Sequence, residues 1–272
     1  MLSQKSFDKK RADTYNKAVP IIFLSMQGYQ VILKETRDVA EGTRLFVFEK
    51  PAEYVFTAGQ YVAFAVPNTS GIEVDPRGLT RSLSIASAPC EPDLYFAMRQ
   101  GESSFKQMCW QLKAGDTATI TKAVGFFLLP SDSDMRPVVF LAGGIGITPV
   151  RSILKQAEHD GSKRSFTLLY SNRFAKDITF GEEINALDLE RFRAITVLSK
   201  STDACAPLND ERGYICQPML EKYVEDILGH LYYIVGSPEF SDAMEQMLIG
   251  LGIPKEQRHM DPFTGLRTQA AK

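Results

Sequence analysis

Residues 138–160 read VVFLAGGIGITPVRSILKQAEHD, and the fold is decided there. Five uninterrupted apolar residues suit a strand buried on both faces. Three glycines, Gly143, Gly144 and Gly146, then turn the chain, and VRSILKQAEHD continues as a helix. Strand, glycine-rich turn and helix in this order form the repeating unit of a parallel sheet. Glycines just past a buried strand let backbone N–H groups come close to a phosphate or a nicotinamide ring, with Thr148 and Pro149 starting the helix. The same glycines would equally serve a turn that only packs against the sheet. The spacing G-G-x-G-x-x-P also differs from the dinucleotide fingerprint G-x-G-x-x-G and points to a related but distinct nucleotide-binding class.

Working outward, SFTLLYS, RAITVLS and LYYIVG read as further strands, with helices near 181–187, 217–227 and 239–250. On the N-terminal side the rhythm differs. YQVILKET, TRLFVFEK, GQYVAFAVP, RSLSIAS, DLYFAMRQ and TATITKAV are short β-rich runs separated by turn residues, which predicts a small antiparallel Greek-key β-barrel. One helix in this half starts at Ser103 or Ser104 and carries Phe105, Met108, Cys109 and Leu112 at helical spacing. The polar, Pro-flanked PSDSDMRP at 130–137 reads as the junction. The 272 residues therefore divide into an N-terminal extension (1–28), a β-barrel (29–133) and an α/β parallel-sheet domain (134–272).

A net charge of -2 gives no basic excess for nucleic acid. Cys90, Cys109, Cys205 and Cys216 include no C-x-x-C pair, and His159, His230 and His259 lie far apart, so neither a metal site nor a Cys-ligated iron–sulfur cluster is expected. The apolar run at 21–26 is too short for a signal peptide core or a membrane span, which makes a cytoplasmic address the expectation.

Two segments of the first half carry candidate chemistry. In TRSLSIAS, Arg81 and Ser84 place a cation and a hydroxyl where both can aim at one bound anion or ring; a solvated strand arginine beside a routine serine is the plain alternative. In GESS, Gly101 precedes Ser103 and Ser104 at a helix N-terminus, where free N–H groups and a serine hydroxyl make an anion site, or simply a helix cap.

Together and in this order, Arg81-Ser82-Leu83-Ser84, Gly101-Glu102-Ser103-Ser104 and the turn from Gly143 to Pro149 resemble the ferredoxin-NADP reductase superfamily, with its R-x-[YF]-[ST], G-x-x-S and G-G-x-G-x-[TS]-P segments. The likeness extends over residues 29–266 through GQYV (59–62), KAVGFF (122–127) and YSNRFAKDITFGEEI (170–184). It implies an FAD-dependent NAD(P)H oxidoreductase with a flavin-binding barrel and a nucleotide-binding α/β domain. By the resemblance, Arg81 and Ser104 contact the flavin phosphate. Ser84 lies near flavin N5 as the catalytic candidate, and Ser82, Leu83, Ile85, Ala86, Ser87, Gly101 and Ser103 complete the flavin segments. Gly143, Gly144, Gly146, Thr148 and Pro149 hold NADPH or NADH. Gly236 and Pro238 of VGSP stand beside the nicotinamide, and Asp261 and Phe263 belong to the closing DPFTGL segment.

The sequence departs from the family pattern at three places. Leu83 replaces the aromatic residue that stacks on the flavin ring, Val235 the cysteine before the C-terminal glycine, and Leu266 the closing tyrosine. Arg173 in YSNR falls where NADPH-preferring relatives carry an arginine for the 2′-phosphate, a task its planar fork suits, although a surface arginine is equally compatible with NADH. With no iron–sulfur cysteines, the electron acceptor is expected to be a separate protein, such as a ferredoxin, flavodoxin or oxygenase component, or a small acceptor. The three departures keep open the alternative of a slow or non-catalytic subunit of a larger complex.

Overall fold

The computed structural model describes residues 28–200 and 211–263, and its backbone forms two six-stranded sheets. The first is antiparallel, in the order β4-β3-β6-β1-β2-β5: β1 Tyr29–Ala40, β2 Thr43–Glu49, β3 Tyr61–Ala65, β4 Thr80–Ser84, β5 Asp93–Arg99 and β6 Thr117–Ile120. Alternation sets the faces. In β1, Val31 and Leu33 point inward while Ile32 between them is exposed. Phe64 of β3 and Phe96 of β5 lie 4.9 Å apart although three strands separate them in the sheet, so the sheet curls round one interior. Just beyond β4, Ala86 N–H donates to Tyr95 O on β5 and draws the two edges together. Helix α1 (Ser104–Gln111) closes the interior with Phe105, Met108 and Cys109, capped by the Ser103 hydroxyl, as its sequence pattern predicts.

The second sheet is parallel throughout, in the order β10-β9-β8-β7-β11-β12: β7 Val138–Gly143, β8 Phe166–Asn172, β9 Phe192–Leu198, β10 Glu211–Arg212, β11 Leu231–Gly236 and β12 Arg258–Pro262. Its helices are α2 Ile147–His159, α3 Gly181–Asn185, α4 Gln217–Tyr223 and α5 Pro238–Gly250. β7 and β11 are buried along nearly their whole length because both faces are covered. Val138, Phe140 and Ala142 join one core, whereas Val139 and Leu141 join another with α4 and α5. The first of these cores runs on without a break into Leu45, Val47, Ala86, Ala97 and Phe127 of the antiparallel half.

Several elements differ from the sequence expectation, the two-residue strand β10 among them, since no strand pattern announced it. The glycine turn is itself a 3-10 helix, Gly144–Gly146, so the α2 helix starts at Ile147, ahead of Thr148. α4 stops at Tyr223 instead of 227, because Val224 turns extended and sinks into the core. β12 was not expected, since RHMDP lacks strand alternation; it exists through its parallel pairing with β11.

Candidate functional site

The N-terminus of α1 collects positive charge. Arg77, Arg81, Arg99 and Lys106 converge there; burial first, then the charges of Arg99, Arg77 and Arg81, push the Lys106 ammonium below its ordinary range. Into this cluster reaches one carboxylate, Asp75, from the loop between β3 and β4. Ser104 donates to its Oδ2 through both the backbone N–H and the hydroxyl, each at 2.9 Å, and the Arg77 N–H donates to Oδ1 at 2.8 Å. Arg81 Nη2 stands 3.6 Å from Oδ1. Burial opposes ionisation of Asp75, yet these hydrogen bonds and the Arg81 charge hold its carboxyl below the usual range.

Arg81 is fixed from behind: its Nη1 donates to the carbonyls of Arg77, Gly78 and Thr80, and its guanidinium lies 5.3 Å from the Phe105 ring centroid. Its Nη2 is buried and has no hydrogen-bond partner, so a donor directed at the slot is left over. The slot thus fits an anion with more acceptor oxygens than one carboxylate, such as a phosphate.

Arg81 and Ser84 do not converge on one anion as the sequence suggested. They lie three apart on β4, and successive strand residues alternate faces, so they point to opposite sides. Arg81 instead meets Ser104, through Asp75. Ser82 is exposed and Leu83 is half-buried against the barrel core. Ile85, Ala86 and Ser87 are wholly enclosed, and the Ser87 Oγ accepts from the Tyr95 N–H. Their side chains are closed to a cofactor, and the Ile85 and Ala86 N–H groups already donate to Gln60 O and Tyr95 O. Gly101 lies under the Lys106 chain, where a Cβ would come within 2.9 Å of Cδ.

The second candidate region lies at the C-terminal ends of β7 and β11, where the strand order reverses and open α/β sheets form a crevice. Its glycines divide by role. A Cβ on Gly143 or Gly236 would press into the Phe240 ring of α5, at 3.0 and 2.7 Å, and one on Gly146 would meet the Val235 carbonyl oxygen at 2.7 Å. These three permit close packing. Gly144 is different: its φ of +53° favours glycine, and its Cβ position faces Arg99 Nη2 at 3.3 Å. Arg99 also carries a buried Nε without a hydrogen-bond partner. It thereby links the charged cluster at α1 to the glycine turn.

Around this crevice, the Thr148 hydroxyl donates to Ile145 O and closes the turn, and Pro149 is buried in α2. Pro238 occupies the first turn of α5. Phe263 donates its N–H to Gly236 O and packs on the shared core. Burial pushes the Asp261 carboxyl up to about 6. Arg173 is exposed just past β8, and its side chain makes no hydrogen bond among the described residues. Val235 is fully buried; Leu266 and Cys205 lie outside the described residues. Among the described residues no cluster could hold a metal ion, and no helix is long and apolar enough to cross a membrane. Asp75, Arg99, Lys106 and Phe240 were not singled out from sequence; the cations flanking GESS were the available signal.

Residues 140–246 match the oxidoreductase NAD-binding domain family. The chain is 26% identical over 240 residues to the glycine betaine monooxygenase reductase subunit of Chromohalobacter salexigens, covering 85% of this chain and 62% of the relative. It is 28% identical over 237 residues to the propane 2-monooxygenase reductase component of Mycolicibacterium goodii, covering 85% and 65%. The chain therefore spans less than two thirds of the length of these relatives. A ferredoxin NADP+ reductase from Neisseria gonorrhoeae, solved with bound FAD and NADP, shares the fold with a TM-score of 0.73 at 22% identity, over 87% of this chain and 99% of that one. Residues 140–246 thus resemble an oxidoreductase NAD-binding domain, and the described residues as a whole share the two-sheet fold of the ferredoxin NADP+ reductase.

Proposed function

We propose that the chain is a flavin-dependent NAD(P)H oxidoreductase delivering electrons to a separate one-electron acceptor, with an oxygenase component as the favoured class. In this reading residues 29–133 carry FAD and 134–272 the nicotinamide nucleotide. The observation that carries it is Arg99, which joins an anion slot on one sheet to a glycine turn at the switch point of the other. The relatives' names, reductase components of monooxygenases, support the acceptor class.

Bound together, the two cofactors supply hydride transfer from nicotinamide C4 to flavin N5, followed by release of the electrons one at a time. The protein's own task is placement. Ser104 and Arg81 hold the flavin phosphate once Asp75 gives way, the α1 N-terminus adding its free N–H groups. Ser84, at the end of β4, presents its hydroxyl on the side away from Arg81, where it would orient the reacting part of a bound flavin. Gly144 and Arg99 take the nucleotide phosphates, while Phe240 backs Gly143 and Gly236 and keeps the crevice floor rigid. Asp261 opens the closing segment as a carboxyl that burial pushes up to about 6.

An absorbance spectrum of the purified protein, before and after anaerobic NADPH and then NADH, tests this reading. Flavin bands that bleach with either nucleotide are the expected result; a protein that binds no flavin even after reconstitution overturns it. The place of Arg173 just past β8, where NADPH-preferring relatives carry an arginine, favours NADPH as donor. Arg173→Ala is expected to raise the KM for NADPH about tenfold, the loss of roughly one charged hydrogen bond, and to leave NADH untouched. Equal changes with both nucleotides would remove Arg173 from 2′-phosphate recognition.

A further inference from the structure

Among the described residues, the best-satisfied buried charge lies in neither candidate region. Arg151, in α2 and 3% exposed, directs all five guanidinium N–H donors at acceptors. Nη1 donates to Ala86 O and Glu91 Oε2, both at 2.8 Å, and Nη2 to Glu91 Oε1 at 3.0 Å and to Glu183 Oε1; Nε donates to Glu183 Oε2 at 3.0 Å. Its two neighbouring rings, Tyr95 and Phe180, lie 5.1 and 5.2 Å away. Phe180 holds a φ of +60°, the one positive φ outside glycine among the described residues, so the backbone bears strain where that ring is set. The next residue repeats the link: Ser152 Oγ donates to Ser87 O at 2.6 Å.

Arg151 and Ser152 therefore grip the backbone carbonyls of Ala86 and Ser87, two and three residues past Ser84. The helix that carries them begins directly after the glycine turn. One rigid helix thus ties the turn to the segment that follows Ser84. We infer that Arg151 is a positioning residue that sets the spacing between the flavin-side segment 84–87 and the nucleotide-side turn 143–146. The inference rests on the function proposed above. It concerns a residue that touches neither cofactor and acts only through the geometry of the two segments. Hydride transfer is steeply sensitive to that geometry; a displacement of about 1 Å can cost on the order of 100-fold in rate. A generic structural role would instead lower stability and leave the spacing of the bound partners alone.

The test uses the full chain with Arg151→Met, Arg151→Lys and Glu91→Gln. In Arg151→Met, the limiting rate of anaerobic flavin reduction at saturating NADPH is expected to fall about 10- to 100-fold, while flavin content and the apparent Kd for the nucleotide stay within about threefold. The isotope effect from deuterium at nicotinamide C4 should become more temperature-dependent. In the flavin-free protein, amide exchange in 84–91 should accelerate. Arg151→Lys, which keeps the charge and loses the fork, should recover part of the rate. An unchanged limiting rate, or a loss that merely follows lost cofactor binding, overturns the assignment. If Arg151→Met yields no folded protein, Glu91→Gln decides: it leaves the Glu183 contacts in place, and a limiting rate equal to that of the unmodified chain defeats the inference. Failure of the wider reading is distinguishable, because the unmodified chain would then bind no flavin or would not bleach.

Discussion

The two halves of the candidate site are built on opposite plans. At α1 the polar groups are plentiful and largely engaged by the chain's own Asp75, which accepts from Ser104 and Arg77 and stands near Arg81. At the switch point the surface is mostly backbone, and the residues that shape it are absent side chains: Gly143 and Gly236 against Phe240, Gly146 against Val235, and Gly144 against Arg99. One half offers charge, the other room for close approach. Substitutions should therefore injure the first mainly in affinity and the second mainly in packing.

The glycines give the largest expected effect. A Cβ on Gly146 meets the Val235 carbonyl oxygen at 2.7 Å and backbone carbons at 2.9 and 3.0 Å, none of them the flexible end of a side chain. Overpacking of this kind costs about 1–3 kcal/mol, and a backbone obstacle places Gly146→Ala at about 3 kcal/mol. Gly144→Ala meets only the far end of Arg99 at 3.3 Å and bears the left-handed penalty of roughly 1–2 kcal/mol. Denaturant melts should rank Gly146→Ala as the more destabilised. The reverse order would mean that Gly144, not Gly146, is the packing glycine.

A second contrast concerns carboxylates. Asp75 is held ionised by donors, whereas burial pushes Asp261 up to about 6. Because the folded protein binds the Asp261 proton more tightly than the unfolded chain, the stabilisation is complete below about pH 4 and is lost as pH rises through about 6. A shift from 3.8 to about 6 corresponds to roughly 3 kcal/mol at full effect. Asp261→Asn mimics the neutral acid and should flatten the stability profile between pH 4 and 7, adding about 2 kcal/mol above pH 7. A variant that keeps the wild-type slope would place the titrating group elsewhere.

How much of this was legible in the sequence follows from the range of each interaction. The period-2 runs, the buried strand 138–142 and the helix start at Ser103 or Ser104 are local patterns, and they appear where the residues predict them. Arg81 and Ser104 were paired only through the family resemblance and not by spacing or periodicity, because they meet through Asp75, 29 positions before Ser104 and on a loop without a motif. Arg151 reaches Ala86 across 65 positions, and no spacing rule connects a helix arginine to a carbonyl that far away. β12 is invisible for a similar reason, since a sequence containing Pro262 and lacking alternation becomes a strand only beside β11. Convergence of Arg81 with Ser84 failed on a single geometric fact, the two-residue period of β4.

The smallest effect is the most specific to this chain. If Asp75 stands where the flavin phosphate belongs, the two anions compete for the Ser104 N–H and hydroxyl and for the field of Arg81. Charge-assisted hydrogen bonds are roughly twice as strong as neutral ones, so an amide of the same size competes less well. Asp75→Asn should tighten FAD binding about three- to tenfold in a titration followed by flavin fluorescence. It should also lower the stability of the flavin-free protein by about 0.5–1 kcal/mol, because α1 loses an anion at its N-terminus. The opposed signs are the signature: weaker apoprotein, tighter flavin. If flavin binding weakens instead, the Asp75 carboxylate contributes to holding the cofactor, and the charged half of the site is complete without the loop withdrawing.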